Sequence, residues 1–376
     1  MNHALATVAT SIALAFAAPA SAQQTTVVKL GFSSPLTGPQ ASAGQDNRDA
    51  ALLAINELNA KGITIGQQKV RFELVAQDDA ADPRQGVSAA QALADAKIGF
   101  VLGPYNSGVT MPASRVYNDA GMVVATVASN PRITEQNFPR LFRVGASDNQ
   151  LGTKMAVYAA KEMKLKTVAV IDDRSSYGQG VAEEFTAEAQ KQGLKIVKKE
   201  FTNDKATDFS TILTSIRALK PDAIFFGGYS AQGGPMLRQM KALKVESKLL
   251  GGDGICSSET DRLSGGAAAG TVFCTQGGAM LERAEAGRSF AQKYKEAYKR
   301  DPLTYAAAFY DATMLLADAM QKAGSTDPAR VTEVLAKGSF KGVAGEYAFD
   351  DKRNLKSSAV TVFGFKDGQP VPLTSL

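Results

Sequence analysis

Polar residues in two loops of the first half of the chain have the types that bind a small charged molecule. Residues 103–108, Gly-Pro-Tyr-Asn-Ser-Gly, join a predicted strand to a helix, and their glycines let backbone N–H groups approach a ligand closely. The helix N-terminus beyond them favours an anion. Ser107 could contact that anion, or it could only cap the helix. In the second loop Ala128 offers a free carbonyl and Asn130 a polar side chain, although Asn-Pro is also a plain turn signal.

A carboxylate and two tyrosines follow predicted strands in the second half of the chain. Asp253 lies between glycines directly after a strand, where its carboxylate would meet an ammonium group; an ordinary loop aspartate is the alternative. Tyr177 and Tyr229 each follow an apolar strand and adjoin glycine, which is typical of pocket walls, although buried core tyrosines are common too. An anion site on one side of a cleft and a carboxylate on the other would fit a zwitterion.

The N-terminal segment predicts export. No residue from Ala4 to Ala22 is charged, and Ala20-Ser21-Ala22 is a small-x-small cleavage site, so we predict a signal peptide cut after Ala22. A disordered cytoplasmic leader is the alternative. In an oxidising compartment the two cysteines, Cys256 and Cys274, are expected to form a local disulfide rather than remain as buried thiols.

The composition leaves little chemistry for an enzyme. The only histidine among 376 residues is His3, which lies in the segment predicted to be removed. The mature chain would therefore lack Ser-His-Asp and Cys-His catalysis and every histidine-ligated metal site. No glycine is followed by lysine, as a Walker-type loop requires, and no G-x-S-x-G elbow occurs. The net charge of +5 is dispersed along the chain. We expect no enzymatic activity, no metal, no cofactor and no nucleic-acid partner.

Two predicted lobes position these residues. Short β-branched runs alternate with amphipathic helices, beginning with a strand at Val27–Phe32 and a helix at Asp46–Ala60, and the pattern restarts after Phe142-Arg143-Val144. This alternation predicts an α/β fold with two similar, doubly wound parallel-sheet lobes. The last helices and the strand at Ala359–Phe365 are too few for a third core, so the chain is expected to cross between the lobes more than once, through a multi-strand hinge. The predicted divisions are a signal peptide at 1–22, a first lobe at 23–146 plus 277–346, and a second lobe at 147–276 plus 347–376.

Several motifs, taken in order, resemble one family over essentially the whole mature chain. The sequence resembles the leucine/isoleucine/valine-binding proteins of branched-chain amino acid ABC transporters, which have the type I periplasmic binding protein fold. The segments that carry the resemblance are Pro35–Pro39, Ala54–Gly62, Asp78–Pro83, Tyr177–Gly180, Asp208–Ser210 and Gly227–Tyr229.

The resemblance implies roles for the polar site residues. Ser107 matches the serine that holds the ligand carboxylate, and Ala128 matches the residue whose carbonyl accepts from the ammonium. Asn130 stands at a position where well-known members have threonine. Asp253 replaces the glutamate that pairs with the ammonium, so the charge is kept on a stem one methylene shorter.

The resemblance also implies the aromatic walls of the site and two departures from them. Tyr177 and Tyr229 match tyrosines that close over the ligand, and Tyr305 aligns with an aromatic residue of the side-chain pocket. Ala43 stands where close relatives have a bulky aromatic residue, and Tyr105 fills a position that is aliphatic there. We therefore include Tyr105 among the expected ligand contacts and expect a rearranged wall.

The function that the resemblance implies is that of a periplasmic substrate-binding component. It would bind branched-chain or other apolar L-amino acids by lobe closure and deliver them, as a monomer, to the membrane permease of an ABC transporter. One alternative keeps the fold but binds an amide, urea or an aromatic acid, and another is a ligand-sensing regulator. Asp253 argues against the first, because a neutral amide or an anion offers a carboxylate nothing to pair with. The signal peptide argues against the second.

Overall fold

A computed structural model describes residues 25–278 and 280–375; the predicted signal peptide lies outside this range. The first elements in chain order are β1 (Thr26–Ser34), α1 (Ala41–Lys61), β2 (Ile63–Ile65), β3 (Gln68–Asp78), α2 (Pro83–Asp95), β4 (Phe100–Leu102), α3 (Ser107–Asp119), β5 (Val123–Thr126), α4 (Arg132–Glu135) and β6 (Leu141–Arg143). Their strands form a sheet of order β2-β3-β1-β4-β5-β6, in which only β2 is antiparallel to its neighbour. This sheet is the centre of the first lobe.

The next elements build the second lobe by the same alternation. In chain order they are α5 (Asp148–Lys161), β7 (Thr167–Asp172), α6 (Ser176–Lys191), β8 (Lys195–Phe201), α7 (Ser210–Leu219), β9 (Ala223–Gly227), α8 (Ser230–Ala242), β10 (Lys248–Gly251), a 3-10 turn (Asp253–Ile255), α9 (Ser258–Ser264) and β11 (Val272–Gly277). Cys256 and Cys274 form the predicted disulfide, which ties the segment after β10 to β11.

The last part of the chain returns to both lobes. It contains a 3-10 turn (Leu281–Arg283), α10 (Glu285–Tyr298), α11 (Ala306–Ala323), α12 (Pro328–Lys337), β12 (Ser339–Lys341), β13 (Glu346–Ala348), β14 (Val360–Lys366) and β15 (Gln369–Ser375). The helices pack on the first lobe, whereas β14 and β15 join the second sheet, which has the order β15-β14-β11-β10-β9-β7-β8. Among the described residues the chain thus passes between the lobes three times: after β6, after β11 and before β14.

Buried residues near the C-terminus indicate where the chain passes from the first lobe to the second for the last time. Tyr347 and Phe349 are buried in the core of the first lobe, beyond the predicted boundary at residue 346, and Phe349 forms an isolated bridge with Leu355. We propose that the third passage lies at residues 356–359. These three passages, at 144–147, directly after β11 and at 356–359, are called the hinge below.

The predicted α/β alternation is confirmed, with differences that have local causes. Asp82, directly before Pro83, caps α2, and its carboxylate accepts from the backbone N–H groups of Arg84 and Gln85. β15 was not predicted, because Pro370 and Pro372 argue against a strand; prolines are tolerated there since β15 lies at the edge of its sheet. The antiparallel strands lie outside the parallel centre that the pattern predicted: β2 and β15 are edge strands, and β14 lies between β15 and β11.

One glycine determines the path of the loop that leads into α3. Gly103 has a φ of +101°, and a Cβ atom there would lie 2.2 Å from the carbonyl oxygen of Ser33. Only glycine therefore lets this loop turn directly against β1 at the carboxyl end of β4. Within the same described residues, no helix is long and apolar enough to cross a membrane, and no cluster of three or more metal-ligating side chains occurs.

Candidate functional site

Asp253 lies at the centre of a buried cluster between the two lobes. It begins the 3-10 turn after β10, at the carboxyl end of a parallel strand, and is only 4% exposed. The hydroxyl of Tyr177 donates to its Oδ1 at 2.6 Å, and the hydroxyl of Tyr305 donates to its Oδ2. Tyr177 belongs to the second lobe and Tyr305, at the start of α11, to the first. The carboxylate therefore accepts one hydrogen bond from each lobe.

Four tyrosines surround this carboxylate. The ring of Tyr229 lies 4.8 Å from that of Tyr177 and 6.0 Å from that of Tyr105, and the rings of Tyr105 and Tyr305 are 5.8 Å apart in an edge-on arrangement. Tyr105 and Tyr229 come from opposite lobes, so their contact closes one side of the cleft. The sequence-predicted residues Tyr105, Tyr177, Tyr229, Asp253 and Tyr305 thus lie in one contiguous group.

The electrostatics of Asp253 are those of a carboxylate without a counter-ion. Among the residues that the structure describes, no lysine or arginine forms a salt bridge with it. Burial raises the pKa of Asp253 above its ordinary value, and the two tyrosine hydroxyls oppose this shift. The same burial, with the Asp253 charge nearby, raises the pKa of Tyr177 and Tyr305, so both phenols stay protonated and donate. The group is therefore poised to accept a cation.

Ser107, Ala128 and Asn130 form a second group on the first lobe. Ser107 is the first residue of α3 and makes no helix-capping bond; its hydroxyl oxygen accepts from the backbone N–H of Asn130 at 3.2 Å. The side-chain amide of Asn130 donates across the cleft to the carbonyl of Ser176 at 2.7 Å. The sequence predicted a free carbonyl at Ala128, but this carbonyl accepts a hydrogen bond from Nη1 of Arg143 at 2.5 Å. The second lone pair of the oxygen remains available.

The two groups approach each other because α6 carries a glycine at the contact. A Cβ atom on Gly180 would lie 2.5 Å from Nδ2 of Asn130 and 2.7 Å from Oδ2 of Asp148. The absence of a side chain there lets α6, which carries Tyr177, reach the loop at residues 128–131, called the 128–131 loop below.

A cavity between the lobes borders the tyrosine cluster. Tyr105, Tyr229, Asp253 and Tyr305 line it, whereas Ser107, Ala128, Asn130 and Tyr177 lie outside its lining. Its other lining residues include Gln40, Ala43, Asn47, Ser257, Leu263 and Leu303. Ala43 and Tyr105, the two departures from the family pattern, therefore both line this cavity.

Comparison with known proteins identifies the family of this two-lobed chain. The sequence profile described as periplasmic binding protein matches residues 27–369. A leucine-, isoleucine-, valine-, threonine- and alanine-binding protein of Pseudomonas aeruginosa is 32% identical over 338 residues, which is 89% of each chain. The chain belongs to the periplasmic binding protein family. It is accordingly a solute-binding protein and not an enzyme.

Solved structures of other periplasmic binding proteins have the same architecture. A leucine-binding protein of Thermotoga maritima superposes with a TM-score of 0.85 at 26% identity, over 93% of this chain and 98% of that one. A branched-chain amino acid transporter substrate-binding protein of Streptococcus pneumoniae, solved with isoleucine, gives 0.83 at 26% identity over 92% and 100%. The resemblance found in the sequence and the predicted two-lobed fold are both confirmed.

Two buried charged residues of this periplasmic binding protein were not predicted for the site. Asp148, the first residue of α5, is fully buried near Gly180, and neither of its carboxylate oxygens has a hydrogen-bond partner in the described part of the chain. Burial raises its pKa well above the ordinary value; the nearby Ser129 side chain and the Arg143 charge oppose this shift, and the Asp253 charge adds to it. Arg143 is 1% exposed. An arginine between Phe142 and Val144 in an apolar strand was the one available signal, whereas an aspartate at a helix start looks ordinary.

Proposed function

We propose that this protein is the periplasmic substrate-binding component of an ABC transporter and that it carries a zwitterionic L-amino acid with an apolar side chain. The leucine- and isoleucine-binding relatives support this ligand class, and the family supports a location in the periplasm. Export would follow cleavage after Ala22. The partner would be the membrane permease of the transporter, to which the loaded protein delivers its ligand as a monomer.

The buried and unpaired carboxylate of Asp253 is the observation that carries this proposal. A charge removed from water without a counter-ion destabilises the folded protein, because the lost hydration is not replaced. Two tyrosine hydroxyls compensate only in part, since hydrogen bonds do not neutralise the charge. A ligand ammonium would complete the site with a charge-assisted hydrogen bond. The Asp253 charge also raises the pKa of the buried Asp148, so a cation bound there would favour the ionised form of both carboxyls.

The opposite end of the ligand would be held by the first lobe. The hydroxyl of Ser107 and the N–H groups at the start of α3 form a site for a carboxylate, where the helix dipole favours negative charge. The two ends of a zwitterion would thus contact different lobes, which explains why the ligand stabilises the closed arrangement. The side chain would extend past Tyr105 and Tyr229 towards Ala43, Leu263 and Leu303.

A panel of matched ligands tests this proposal. Protein that has been unfolded, dialysed and refolded, so that it carries no ligand, is titrated with L-leucine, L-isoleucine and L-valine. Three analogues isolate the charges: 4-methylpentanoic acid lacks the ammonium, isopentylamine lacks the carboxylate, and leucinamide keeps only the ammonium. At 1,000 times its dissociation constant a ligand adds about 4 kcal/mol, a rise in Tm of several degrees.

The proposal requires that an intact amino acid raises Tm and that all three analogues fail to do so at the same concentration. If 4-methylpentanoic acid or another carboxylic acid raised Tm as much as leucine, the ammonium would contribute nothing and the ligand class would be wrong. If urea or a neutral amide bound and no amino acid did, the fold would stand and the assigned ligand would be replaced.

A further inference from the structure

Three consecutive carbonyl groups of the 128–131 loop accept hydrogen bonds from residues at the two ends of one hinge passage. The carbonyl of Ala128 accepts from Nη1 of Arg143 at 2.5 Å, and that of Asn130 accepts from Nη2 of the same guanidinium at 2.9 Å. Between them, the carbonyl of Ser129 accepts from the backbone N–H of Asp148 at 2.9 Å. Arg143 is the last residue before the 144–147 passage and Asp148 is the first residue after it. The loop is therefore held from both sides of the passage.

The same guanidinium contacts the segment that leads to the third passage. Nε of Arg143 donates to Oδ1 of Asn354 at 2.9 Å, and the backbone N–H of Arg143 donates to the carbonyl of Arg353 at 2.9 Å. Thr134, directly after the loop, donates from its hydroxyl to the same Oδ1 at 3.1 Å. One side chain thus joins the 128–131 loop to two of the three passages that form the hinge.

The chemistry of Arg143 fits positioning better than simple stabilisation. The guanidinium is buried, and no carboxylate lies within salt-bridge distance of it in the described ranges. Burial lowers its pKa to about 10, so it remains a cation at neutral pH. Buried charge is costly, and apolar side chains of similar volume usually stabilise a core at least as well. What only a guanidinium supplies is a rigid fork of donors that fixes two carbonyls and an amide oxygen at once.

We propose that Arg143 is a positioning residue for ligand binding: it holds the 128–131 loop in the conformation that receives the ligand and links that loop to the hinge, with Asn354 orienting its guanidinium. The inference rests on the proposed function, because the loop contributes Ala128 and Asn130 to the site. The Asp148–Ser129 bond joins the second lobe to this loop, so rotation of the lobes acts on the same backbone that Arg143 holds. A ligand that stabilises the loop therefore also favours closure.

The test compares substitutions that keep or remove single contacts in the full-length mature protein. Arg143→Lys keeps the charge but cannot reach both carbonyls and Asn354 together, so the Kd for L-leucine, or for the amino acid that binds most tightly in the panel, is expected to rise at least tenfold. Asn354→Leu removes the orienting oxygen and is expected to raise Kd about three- to tenfold. Asn354→Asp keeps that oxygen and should stay within threefold of wild type. Arg353→Lys is the matched control, since its side chain contacts Pro139 and not the loop.

Hydrogen exchange in the ligand-free protein distinguishes a positioning role of Arg143 from a general effect on stability. Peptides covering residues 126–136 should exchange faster in Arg143→Lys and Asn354→Leu, but not in Asn354→Asp or Arg353→Lys. The thermal midpoint of both Asn354 variants should stay within about 2 °C of wild type. Unchanged Kd and unchanged exchange in Asn354→Leu would overturn the inference, as would an Asn354→Asp variant that behaves like Asn354→Leu. If Arg143→Lys does not fold, the Asn354 pair decides. If wild type binds no amino acid, the proposed function fails while the exchange comparison still decides on the loop.

Discussion

Replacing Asp253 by asparagine separates the binding role of this residue from its effect on stability. Asparagine has nearly the same shape and keeps one carbonyl oxygen, so either Tyr177 or Tyr305 still finds an acceptor, and the new amide donates to the other hydroxyl. The negative charge disappears. Because burial raises the pKa of Asp253, its ionised form destabilises the ligand-free protein. The Asp253→Asn variant should therefore be as stable as wild type without ligand, or more stable.

The expected loss of affinity follows from the contact that the ligand would make. Asp253 is 4% exposed, so water does not replace a missing partner. A hydrogen bond to a charged group is worth about 1.5–3 kcal/mol. At about 1.4 kcal/mol for each factor of ten, the Kd for an amino acid should rise about 10- to 140-fold. Stability and affinity are thus predicted to change in opposite directions.

Isothermal titration at pH 7 measures the Kd, and thermal unfolding without ligand measures stability. Asp318→Asn is the matched control, because this aspartate lies on α11 and pairs with Lys322 at the surface. That variant should keep the wild-type Kd. An Asp253→Asn variant with unchanged affinity would remove Asp253 from the ligand site. If the variant lost both affinity and thermal stability, the result would indicate that the carboxylate has only a structural role.

Three further predictions concern buried charge and the disulfide. Asp148→Asn should raise the unfolding midpoint of the ligand-free protein and weaken amino acid binding several-fold. Urea unfolding measures the first effect and ligand titration of the same sample measures the second. A lower midpoint would contradict the view that this carboxylate is unpaired. Burial raises the pKa of Asp46 to about 7 from 3.8. The stability that this group contributes, about 4 kcal/mol, is therefore complete below about pH 4 and lost as the pH rises through 7. Between pH 4 and 8 the urea midpoint of Asp46→Asn should therefore change less than that of wild type. Replacing Cys256 and Cys274 together by alanine should lower the free energy of unfolding by about 3 kcal/mol, and equal stability of the two proteins would show that the bridge adds nothing.

The alternation of strands and helices could be predicted because it depends on local periodicity. β7 and β9 illustrate this, since both are short, continuous apolar runs between clear helical segments. The short strand β2 and the hairpin of β12 with β13 were missed, because three residues are too few to show a period. The start of α1 at Ala41 rather than Asp46 has a related cause: its first turn lacks the apolar spacing that marks the rest of the helix.

The site could be predicted only where a residue type is unusual for its position. Asp253 between glycines and Tyr177 beside Gly178 were predicted as site residues because loops at the carboxyl ends of parallel strands bind ligands, and the structure brings the two side chains into contact. Asp148 was not found, since aspartate is common in the first turn of a helix and nothing local indicates that this turn is buried. Its burial results from the contact between α5 and α6, which sequence periodicity does not describe.

The contacts of Arg143 bear on the proposed preference of the cleft for a cation. Arg143 and Asp148 are both buried and lie five residues apart, yet no salt bridge joins them among the residues described. The donors of Arg143 are engaged by carbonyl oxygens and by Asn354, so the arginine cannot turn to neutralise Asp148 or Asp253. The charge of Arg143 opposes the rise in the pKa of Asp148 only in part, and a ligand ammonium would favour the ionised form of both carboxyls. The network that would fix the 128–131 loop would thus also keep the carboxylates available, which gives one physical reason for the position of the arginine and for the proposed preference for a zwitterion.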